Sequence, residues 1–291
     1  MNCYNGEKFL KDSISSVILQ TYQNWELIFW DNQSTDNSAK IVKSFQDKRI
    51  KYYLSKKHTP LYEARGLAIN KAEGDFIAFL DIDDWWKKEK LATQVPYFDN
   101  PKVGLIHSNF YKFNEIINKC YLNYKDKLPS GRVTNNLLKD YRIGWLTVII
   151  RKKAYESLLK KFNSKYYIIG DFDFCIRLSF EWEFLYLGNA LAFCRWHGKN
   201  LQITKANLHI LELKNWYEEN KTNSDLAQFD GFKLFKNNLN KMITINLIKN
   251  GLTKDAYQSL KSVNDLIIKA KLLILMILPN KIVNFIFKKK N

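Results

Sequence analysis

The feature that most constrains this chain is an alternation of short apolar runs with segments of helical length. Four runs are rich in aromatic and β-branched residues, as buried strands are: 24–31, 49–55, 75–81 and 103–108. The segment at 59–74 illustrates the helices between them, since Thr59 can cap it, Pro60 suits its first position and Gly74 follows its end. This alternation predicts an α/β fold in which a mostly parallel, Rossmann-like sheet carries helices on both faces.

Acidic residues follow two of the apolar runs. Asp31 ends one run, and Asp81, Asp83 and Asp84 end another. In a parallel sheet, ligands bind at the carboxyl ends of the strands. Carboxylates held close together raise one another's pKa, and a Mg²⁺ or Mn²⁺ ion that also binds a diphosphate would relieve their repulsion. A simpler alternative is that Asp83 or Asp84 caps the helix that begins near Lys87.

Composition limits the classes of protein to consider. The 291 residues are 46% hydrophobic and 15% aromatic, which is ample for a buried core. A formal net charge of +17 favours nucleic acid, phosphorylated ligands or an anionic membrane as partners. The four cysteines form no CxxC pair, so neither a zinc ribbon nor a disulfide framework is predicted, and a reducing cytoplasm is the simplest setting. We find neither a signal-peptide pattern nor an apolar run of membrane-spanning length.

Four motifs occur in uninterrupted order between Met1 and Asn200. They are NCYNGEKFLKDSISSVILQTYQNWELIFWDNQSTDNS, YEARGLAINKAEGDFIAFLDIDDWW, IGDFDFCIRL and CRWHGKN. Their order and spacing resemble the family 2 inverting glycosyltransferases with the GT-A fold. The resemblance implies transfer of a sugar, with inversion, from a nucleotide-diphosphate sugar donor to a glycan or lipid-linked acceptor in surface polysaccharide or glycoconjugate biosynthesis, with Mn²⁺ or Mg²⁺ as cofactor. A GT-A domain would occupy residues 1–203.

The resemblance also implies which residues bind the donor. The predicted nucleotide-sugar contacts are Cys3, Tyr4, Asn5, Asp31, Arg65 and Asp81. The first four would border the base and ribose, Arg65 would reach the nucleotide or its phosphates, and Asp81 would contact ribose or a metal-bound water. Many relatives carry a second Asp where Asn32 stands, which leaves the base unidentified. Ordinary loop packing for Tyr4 and a solvated helix face for Arg65 are the structural alternatives.

The same resemblance implies the cation ligands and the catalytic base. Asp83 would bind the cation, with Asp84 as second choice, and His197 would lie near the diphosphate and the metal. Asp171 matches the catalytic base, because an acceptor hydroxyl that attacks the anomeric carbon must lose a proton to a placed carboxylate. The alternatives are core packing for His197 and a helix N-cap for Asp171; Asp173 is a poorer candidate for the base.

The opening residues lack a feature that the family has. In these relatives a buried apolar strand leads directly into the Tyr-Asn loop, whereas here only Met1 to Cys3 precede Tyr4. A strand of about five or six residues is therefore missing from the pattern. We expect the natural protein to start upstream, with an apolar, β-branched run leading into Asn2.

Residues 204–291 change in character. Three segments have apolar residues at helical spacing, 206–221, 232–251 and 255–278, and Pro279 ends the last. The run Leu272 to Leu278 is too short to span a bilayer. With the apolar residues at 282–287 and the cluster Lys288 to Lys290, it predicts a basic helical region at an anionic membrane, on the inner face. The alternative is a helical cap packed on the catalytic domain or on another subunit.

Two other functional classes share some of these features. A nucleotidyltransferase would share the sheet, the acidic cation ligands and the nucleotide, but such enzymes usually carry a Gly-rich, basic loop that NCYNGEKF does not resemble. A basic nucleic-acid-binding protein would show a basic stripe interleaved with exposed aromatic residues. Here the aromatic residues mostly fall in predicted strands or on helix faces, so no nucleic acid partner is predicted.

Overall fold

Strands and helices alternate along the computed structural model, which describes residues 1–198, 200–279, 282–283 and 286. The strands are β1 Asn2–Cys3, β2 Leu27–Asp31, β3 Ile50–Leu54, β4 Phe76–Ala78, β5 Trp85–Trp86, β6 Val103–Asn114, β7 Lys119–Leu122, β8 Ile149–Arg151 and β9 Glu183–Trp196. The helices are α1 Leu10–Ile18, α2 Ser38–Ser44, α3 Leu61–Ile69, α4 Lys90–Gln94, α5 Thr134–Lys139, α6 Lys152–Ser157, α7 Gly170–Ser179, α8 Leu201–Thr204, α9 Ala206–Asn220, α10 Ser224–Ala227, α11 Asp230–Lys249, α12 Thr253–Leu260 and α13 Leu266–Ile277. Phe285, Phe287 and Lys288 to Lys290, which are part of the predicted membrane contact, lie outside the described residues.

The first sheet has three parallel strands in the order β1-β2-β3. Asn2 lies opposite Trp30, and Leu27 lies opposite Ile50. All five residues of β2 are buried, as expected of a strand that is covered on both faces. Asp31 therefore ends β2 at the carboxyl edge of this sheet, where the sequence predicts ligand contacts.

The second sheet corrects the prediction of a mostly parallel arrangement. Its order is β4-β8-β6-β9-β5, with β7 also on β6. Within it β6 and β9 run parallel, whereas β4 with β8, β8 with β6, β5 with β9 and β6 with β7 are antiparallel. A short turn joins β6 to β7, and a hairpin of that kind must be antiparallel. The predicted α/β class is confirmed, but its sheets are mixed.

Two predicted element boundaries differ from the structure. The run at 75–81 forms a strand only over β4, so Asp81 lies on the loop that follows. Helix α3 has Pro60 as its N-cap residue and ends at Ile69, well before Gly74. Thr59 does not cap it, because its hydroxyl donates instead to Oδ1 of Asn32 at 3.1 Å.

The chain divides into two compact units. The first comprises Met1–Leu137 with Tyr141–Ile203, and its core includes Phe29, Ile106 and Ile149. The second comprises Leu138–Asp140 with Thr204–Asn291, and its core is built from side chains of α11, α12 and α13. The predicted helix at 255–278 is two helices, because Asp265 caps α13 by accepting a hydrogen bond from the amide of Ile268 at 2.9 Å. Within the described residues, none of the helices is both long and apolar enough to cross a membrane.

A cavity of about 590 Å³ runs beside β1 within the first unit. Side chains from β2, β4 and α3 line it, among them Leu27, Ile77 and Ile69. The Met1 amino group is buried here and donates to the Ile28 carbonyl at 2.9 Å. Burial lowers the pKa of this amino group to about 5. The expected upstream strand stays a prediction.

Candidate active site

Hydrogen bonds join the loop after β1 to the loop after β2. The Asn5 side-chain oxygen accepts a hydrogen bond from the Thr35 amide at 2.8 Å, and the Gly6 amide donates to the Ser38 hydroxyl at 2.9 Å. Asn5 has a φ of 53°, a left-handed conformation that Asn tolerates better than most residues. Two loops at the carboxyl edge of the first sheet thus form one bonded rim.

The side chains of Asp31 and Cys3 contact residues of this rim. Asp31 is 1% exposed; its Oδ1 accepts from the Ser34 amide and its Oδ2 accepts from the Tyr52 hydroxyl, both at 2.8 Å. The Cys3 side chain is also buried, 3.7 Å from the Ser34 hydroxyl, and burial raises the pKa of its thiol. Both residues lie where the sequence places the nucleotide, and their contacts with it stay predictions.

An aromatic pair stands at the same rim. Tyr4 is 51% exposed, and its ring centroid lies 4.4 Å from that of His58 in an edge-to-face arrangement. His58 Nδ1 lies 3.0 Å from the Asn32 carbonyl oxygen, and the Asn32 amide group donates to the Thr59 carbonyl at 2.8 Å. The sequence offered no motif around His58, and only this packing reveals it.

The buried Arg65 forms an ion pair with the more exposed Asp81. Nη2 of Arg65 lies 2.8 Å from Oδ1 of Asp81, and the two side chains are 5% and 42% exposed. The Arg65 guanidinium also lies over the rings of Tyr62 and Trp145, 5.1 and 5.7 Å from their centroids. Burial alone would lower the pKa of Arg65, but the Asp81 carboxylate raises it. The alternative of a solvated helix face for Arg65 is wrong.

Asp83 faces His197 across the end of β9. Asp83 Oδ2 and His197 Nε2 are 3.1 Å apart, and both side chains are mostly buried. Burial raises the pKa of Asp83, the Asp81 charge raises it further, and His197 opposes the shift. The His197 ring is also stacked on Phe9, with centroids 5.2 Å apart. Packing and a polar contact with Asp83 thus coexist at His197.

Asp84 turns inward, toward the backbone of β9. Its Oδ1 accepts a hydrogen bond from the Arg195 amide at 2.8 Å, and burial, followed by the charges of Asp83 and Asp81, raises its pKa well above the usual value. Arg195 in turn donates through Nε to the Asp83 carbonyl at 3.0 Å and pairs with Asp12 at 2.8 Å. Sequence reasoning missed Arg195, although it lies within the CRWHGKN motif.

The side chains around Asp83 offer few ligands for a divalent cation. Within the described part of the chain, no three or more His, Cys, Asp or Glu side chains are grouped so that they could hold a metal ion. The predicted set of Asp83, Asp84 and His197 therefore does not form a three-ligand cluster. Asp83 with His197 still fits, because Mg²⁺ and Mn²⁺ at nucleotide sites take one or two protein ligands and complete their shell with phosphate and water oxygens.

Asp171 lies in the first turn of α7 with two tyrosines against it. The Tyr62 hydroxyl lies 3.0 Å from its Oδ1, and the Tyr141 hydroxyl donates to its Oδ2 at 3.1 Å. Burial raises the pKa of Asp171, while Arg65 and the two tyrosines oppose the rise. The N-cap residue of α7 is Ile169, so the alternative of an N-cap role for Asp171 is wrong.

Gly170 and an ion pair of Asp173 lie close to the Asp171 carboxylate. A Cβ atom at Gly170 would lie 2.4 Å from the Tyr62 ring, so only glycine allows Tyr62 to approach so closely. Asp173, the weaker candidate for the base, is paired with Arg177 at 2.8 Å. A carboxylate in a direct ion pair with a guanidinium is a poorer proton acceptor than one held by neutral hydroxyls, and this favours Asp171.

Arg65 and Tyr62 connect the two sets of carboxylates. Arg65 is paired with Asp81 and also interacts electrostatically with Asp171. Tyr62 stacks under the Arg65 guanidinium and reaches Asp171 with its hydroxyl. The carboxylates predicted for the donor and the carboxylate predicted as the base thus meet through two buried side chains of α3.

Comparison with known proteins identifies relatives of this chain. The family model described as Glycosyl transferase family 2 matches residues 1–159. UDP-Glc:alpha-D-GlcNAc-diphosphoundecaprenol beta-1,3-glucosyltransferase WfgD of Escherichia coli is 39% identical over 163 residues, covering 56% of this chain and 61% of WfgD. The putative teichuronic acid biosynthesis glycosyltransferase TuaG of Bacillus subtilis is 29% identical over 152 residues, covering 52% of this chain and 60% of TuaG. The chain thus spans about three fifths of the length of these relatives.

Solved structures share the fold at low sequence identity. S. aureus TarS 1-349, in complex with UDP, aligns with a TM-score of 0.58 and 15% identity, covering 90% of this chain and 86% of that one. The mannosyltransferase PcManGT from Pyrobaculum calidifontis, in complex with GDP-Man and Mn²⁺, aligns with a TM-score of 0.63 and 14% identity, covering 94% and 77%. The predicted GT-A fold is confirmed. The family match also favours glycosyl transfer over the nucleotidyltransferase and nucleic-acid-binding alternatives.

Proposed function

The chain belongs to glycosyl transferase family 2, and we propose that it transfers a sugar, with inversion, from a nucleotide-diphosphate sugar to a glycan or lipid-linked acceptor. The observation that carries the proposal is the connected set Asp81, Arg65, Tyr62 and Asp171, which links a carboxylate suited to the donor with one suited to the acceptor. Such a reaction needs both within one site, since donor and acceptor meet at the anomeric carbon.

The donor would bind at the carboxyl edge of the first sheet. Tyr4 and His58 offer exposed aromatic surface for a base, and the bonded rim of Asn5 and Asp31 would fix the loops around base and ribose. Arg65 and Asp81 would contact the ribose and phosphates. Complexes of TarS with UDP and of PcManGT with GDP-Man support a nucleotide donor.

The cation would be held by Asp83 and His197, with Asp84 orienting the loop through Arg195. When bound, Mn²⁺ or Mg²⁺ neutralises charge on the diphosphate of the donor. Burial raises the pKa of both Asp83 and Asp84, and the charges of neighbouring carboxylates raise it further. A bound cation would favour the ionised form of both carboxyls. The Mn²⁺ in the PcManGT complex supports this choice of cofactor.

Asp171 would act as the general base. The acceptor oxygen forms a bond to the anomeric carbon, the bond from that carbon to the diphosphate oxygen breaks, and the acceptor proton passes to an Asp171 carboxylate oxygen. Tyr62 and Tyr141 hold the carboxylate in place, and Arg65 keeps it ionised. Burial raises the basicity of the carboxylate, which suits proton abstraction near neutral pH.

For the acceptor we propose a lipid-linked glycan. The relative WfgD carries GlcNAc-diphosphoundecaprenol in its name, and TuaG is named for teichuronic acid biosynthesis. Such an acceptor is anchored in a bilayer, so the reaction would occur at the cytoplasmic face of the membrane. All four cysteines are free, which suits a reducing compartment.

The experiment is a thermal-shift screen of UDP-glucose, UDP-GlcNAc and GDP-mannose, with and without Mn²⁺. A ligand at 100 times its Kd adds about 2.7 kcal/mol of stability, so a true donor gives a clear shift. Asp83→Ala should abolish the metal-dependent part, whereas Asp126→Ala, an exposed control, should keep it. The proposal fails if none of the donors stabilises the protein, and the cation assignment fails if Asp83→Ala responds like the unchanged chain.

A further inference from the structure

Helix α13 carries an exposed apolar stripe along its whole length. Five of its side chains are large, apolar and exposed: Leu266 (78%), Ile267 (69%), Leu273 (41%), Ile274 (60%) and Ile277 (84%). Ala270, between them, is exposed as well. At about 100° per residue, these six positions fall on one side of the helix.

The opposite side of α13 packs in the core of the second unit. Leu272 is buried in the core with residues of α11 and α12, and Ile268, Leu275 and Met276 pack against the same core. The exposed stripe is therefore additional apolar surface, beyond what folding of this unit buries. A contiguous apolar surface of this kind indicates an interaction site.

Lysines border the stripe on both sides. With about 3.6 residues per turn, Lys269 falls just outside one edge and Lys271 just outside the other. Lys269 Nζ lies 3.5 Å from the Lys261 carbonyl, and Lys271 is exposed. From Leu266 to Ile277 the helix contains no acidic residue. An apolar centre with cationic borders matches a lipid surface, in which acyl chains lie beneath anionic headgroups.

We propose that the outer face of α13 docks on a bilayer that contains anionic phospholipid. The helix has 12 residues, so it is about 18 Å long, against about 30 Å for the hydrocarbon core. It would lie in the headgroup region, with the stripe toward the acyl chains and both lysines at the phosphates. Only the purpose of this docking, which is to bring the enzyme to a lipid-linked acceptor, rests on the proposed function.

A second copy of the chain fits this face less well. Helix pairing through the stripe would bring Lys269 and Lys271 near the same lysines of the partner helix, and α13 offers no acid to neutralise them. One 12-residue helix face also supplies little of the roughly 800 Å² per partner that a stable complex usually buries. Anionic lipid neutralises the lysines and has no such size requirement.

The test is co-sedimentation of the full chain with vesicles, without donor or acceptor. Vesicles of phosphatidylcholine with one quarter phosphatidylglycerol should bind the protein, and vesicles of pure phosphatidylcholine should bind it at least 10-fold more weakly. The triple change Ile267→Gln, Ile274→Gln, Ile277→Gln should weaken binding at least 10-fold, and so should Lys269→Gln with Lys271→Gln. Leu159→Gln with Ile116→Gln, and Lys56→Gln with Lys57→Gln, are matched controls at exposed positions of the first unit and should bind normally.

Equal loss in the controls and the α13 variants would overturn the proposal, as would failure of the unchanged chain to bind anionic vesicles. A dimer in light scattering that the stripe variants dissociate, with vesicle binding unaffected, would assign the face to a second copy instead. Donor-dependent thermal shifts of the same variants separate this inference from the proposed function, because docking can fail while donor binding persists.

Discussion

Asp171 combines partial burial with two hydroxyl contacts, an environment that suits a proton acceptor. We expect Asp171→Asn to keep donor binding, because the amide preserves shape and can still contact Tyr62 and Tyr141. Transfer should fall by about 100-fold or more, because an amide cannot take the acceptor proton. Donor titration and turnover of the same variant measure the two effects. Near-normal turnover would remove Asp171 from this role, and Asp173→Asn would be tested next.

Tyr62 should tune the pH at which the base works. Its hydrogen bond favours the ionised form of Asp171, so Tyr62→Phe should raise the pKa of that carboxyl further. A base must be deprotonated to act, so the acid limb of the kcat/KM profile should move to higher pH. Tyr141→Phe should move it the same way, whereas Tyr155→Phe, a change at a buried tyrosine nearby, should not. A limb that stays in place in both Tyr62→Phe and Tyr141→Phe would contradict the assignment.

Sequence motifs pointed to single candidate residues rather than to the partners that hold them. Arg65, Asp83 and Asp171 were predicted because each lies within a recognisable motif, and their roles stay predictions. Tyr62 and Tyr141 are 79 residues apart and meet only when the chain has folded, so no local pattern could pair them. Arg195 and His58 contact predicted site residues only in the folded chain, and such contacts leave little trace in sequence spacing.

At the scale of elements, the cavity beside β1 offers a test. The Met1 amino group is buried there, although burial disfavours its charged form. A version with five apolar, β-branched residues joined ahead of Met1 should melt at a higher temperature, because these residues would fill the cavity and move the amine away. A version with five Gly and Ser residues at the same place is the control. Equal melting temperatures for the two versions would show that the added run does not enter the cavity.

The elements themselves were partly predictable. Each of the four apolar runs contains a strand, because a run of β-branched and aromatic residues is a local property. The direction of pairing is not local, and β8 and β9, which make the second sheet mixed, are distant in sequence from β4 and β6. The break between α12 and α13 was missed because the apolar spacing continues across it, while Asp265 starts a new helix.

The whole molecule should lose stability in acid partly through His107. This residue of β6 is buried, and burial lowers its pKa to about 3 from an ordinary value near 6.5. Below pH 6.5 the unfolded chain takes up a proton that the folded chain refuses, so stability present above that pH is lost as the pH falls toward 3. His107→Leu should therefore melt with a weaker pH dependence between pH 6.5 and 4. An unchanged dependence would assign the acid sensitivity to other groups.

The central claim, that one site transfers a sugar with inversion, is tested most directly by the anomeric form of the first product. The donor that gives the largest Mn²⁺-dependent thermal shift is incubated with the protein without acceptor, and proton NMR follows the sugar released by water before it mutarotates. If Asp171 takes the proton on the face opposite the diphosphate, an α-linked donor should release the β-sugar first, and Asp171→Asn should slow the release. Initial release of the α-sugar would contradict the account.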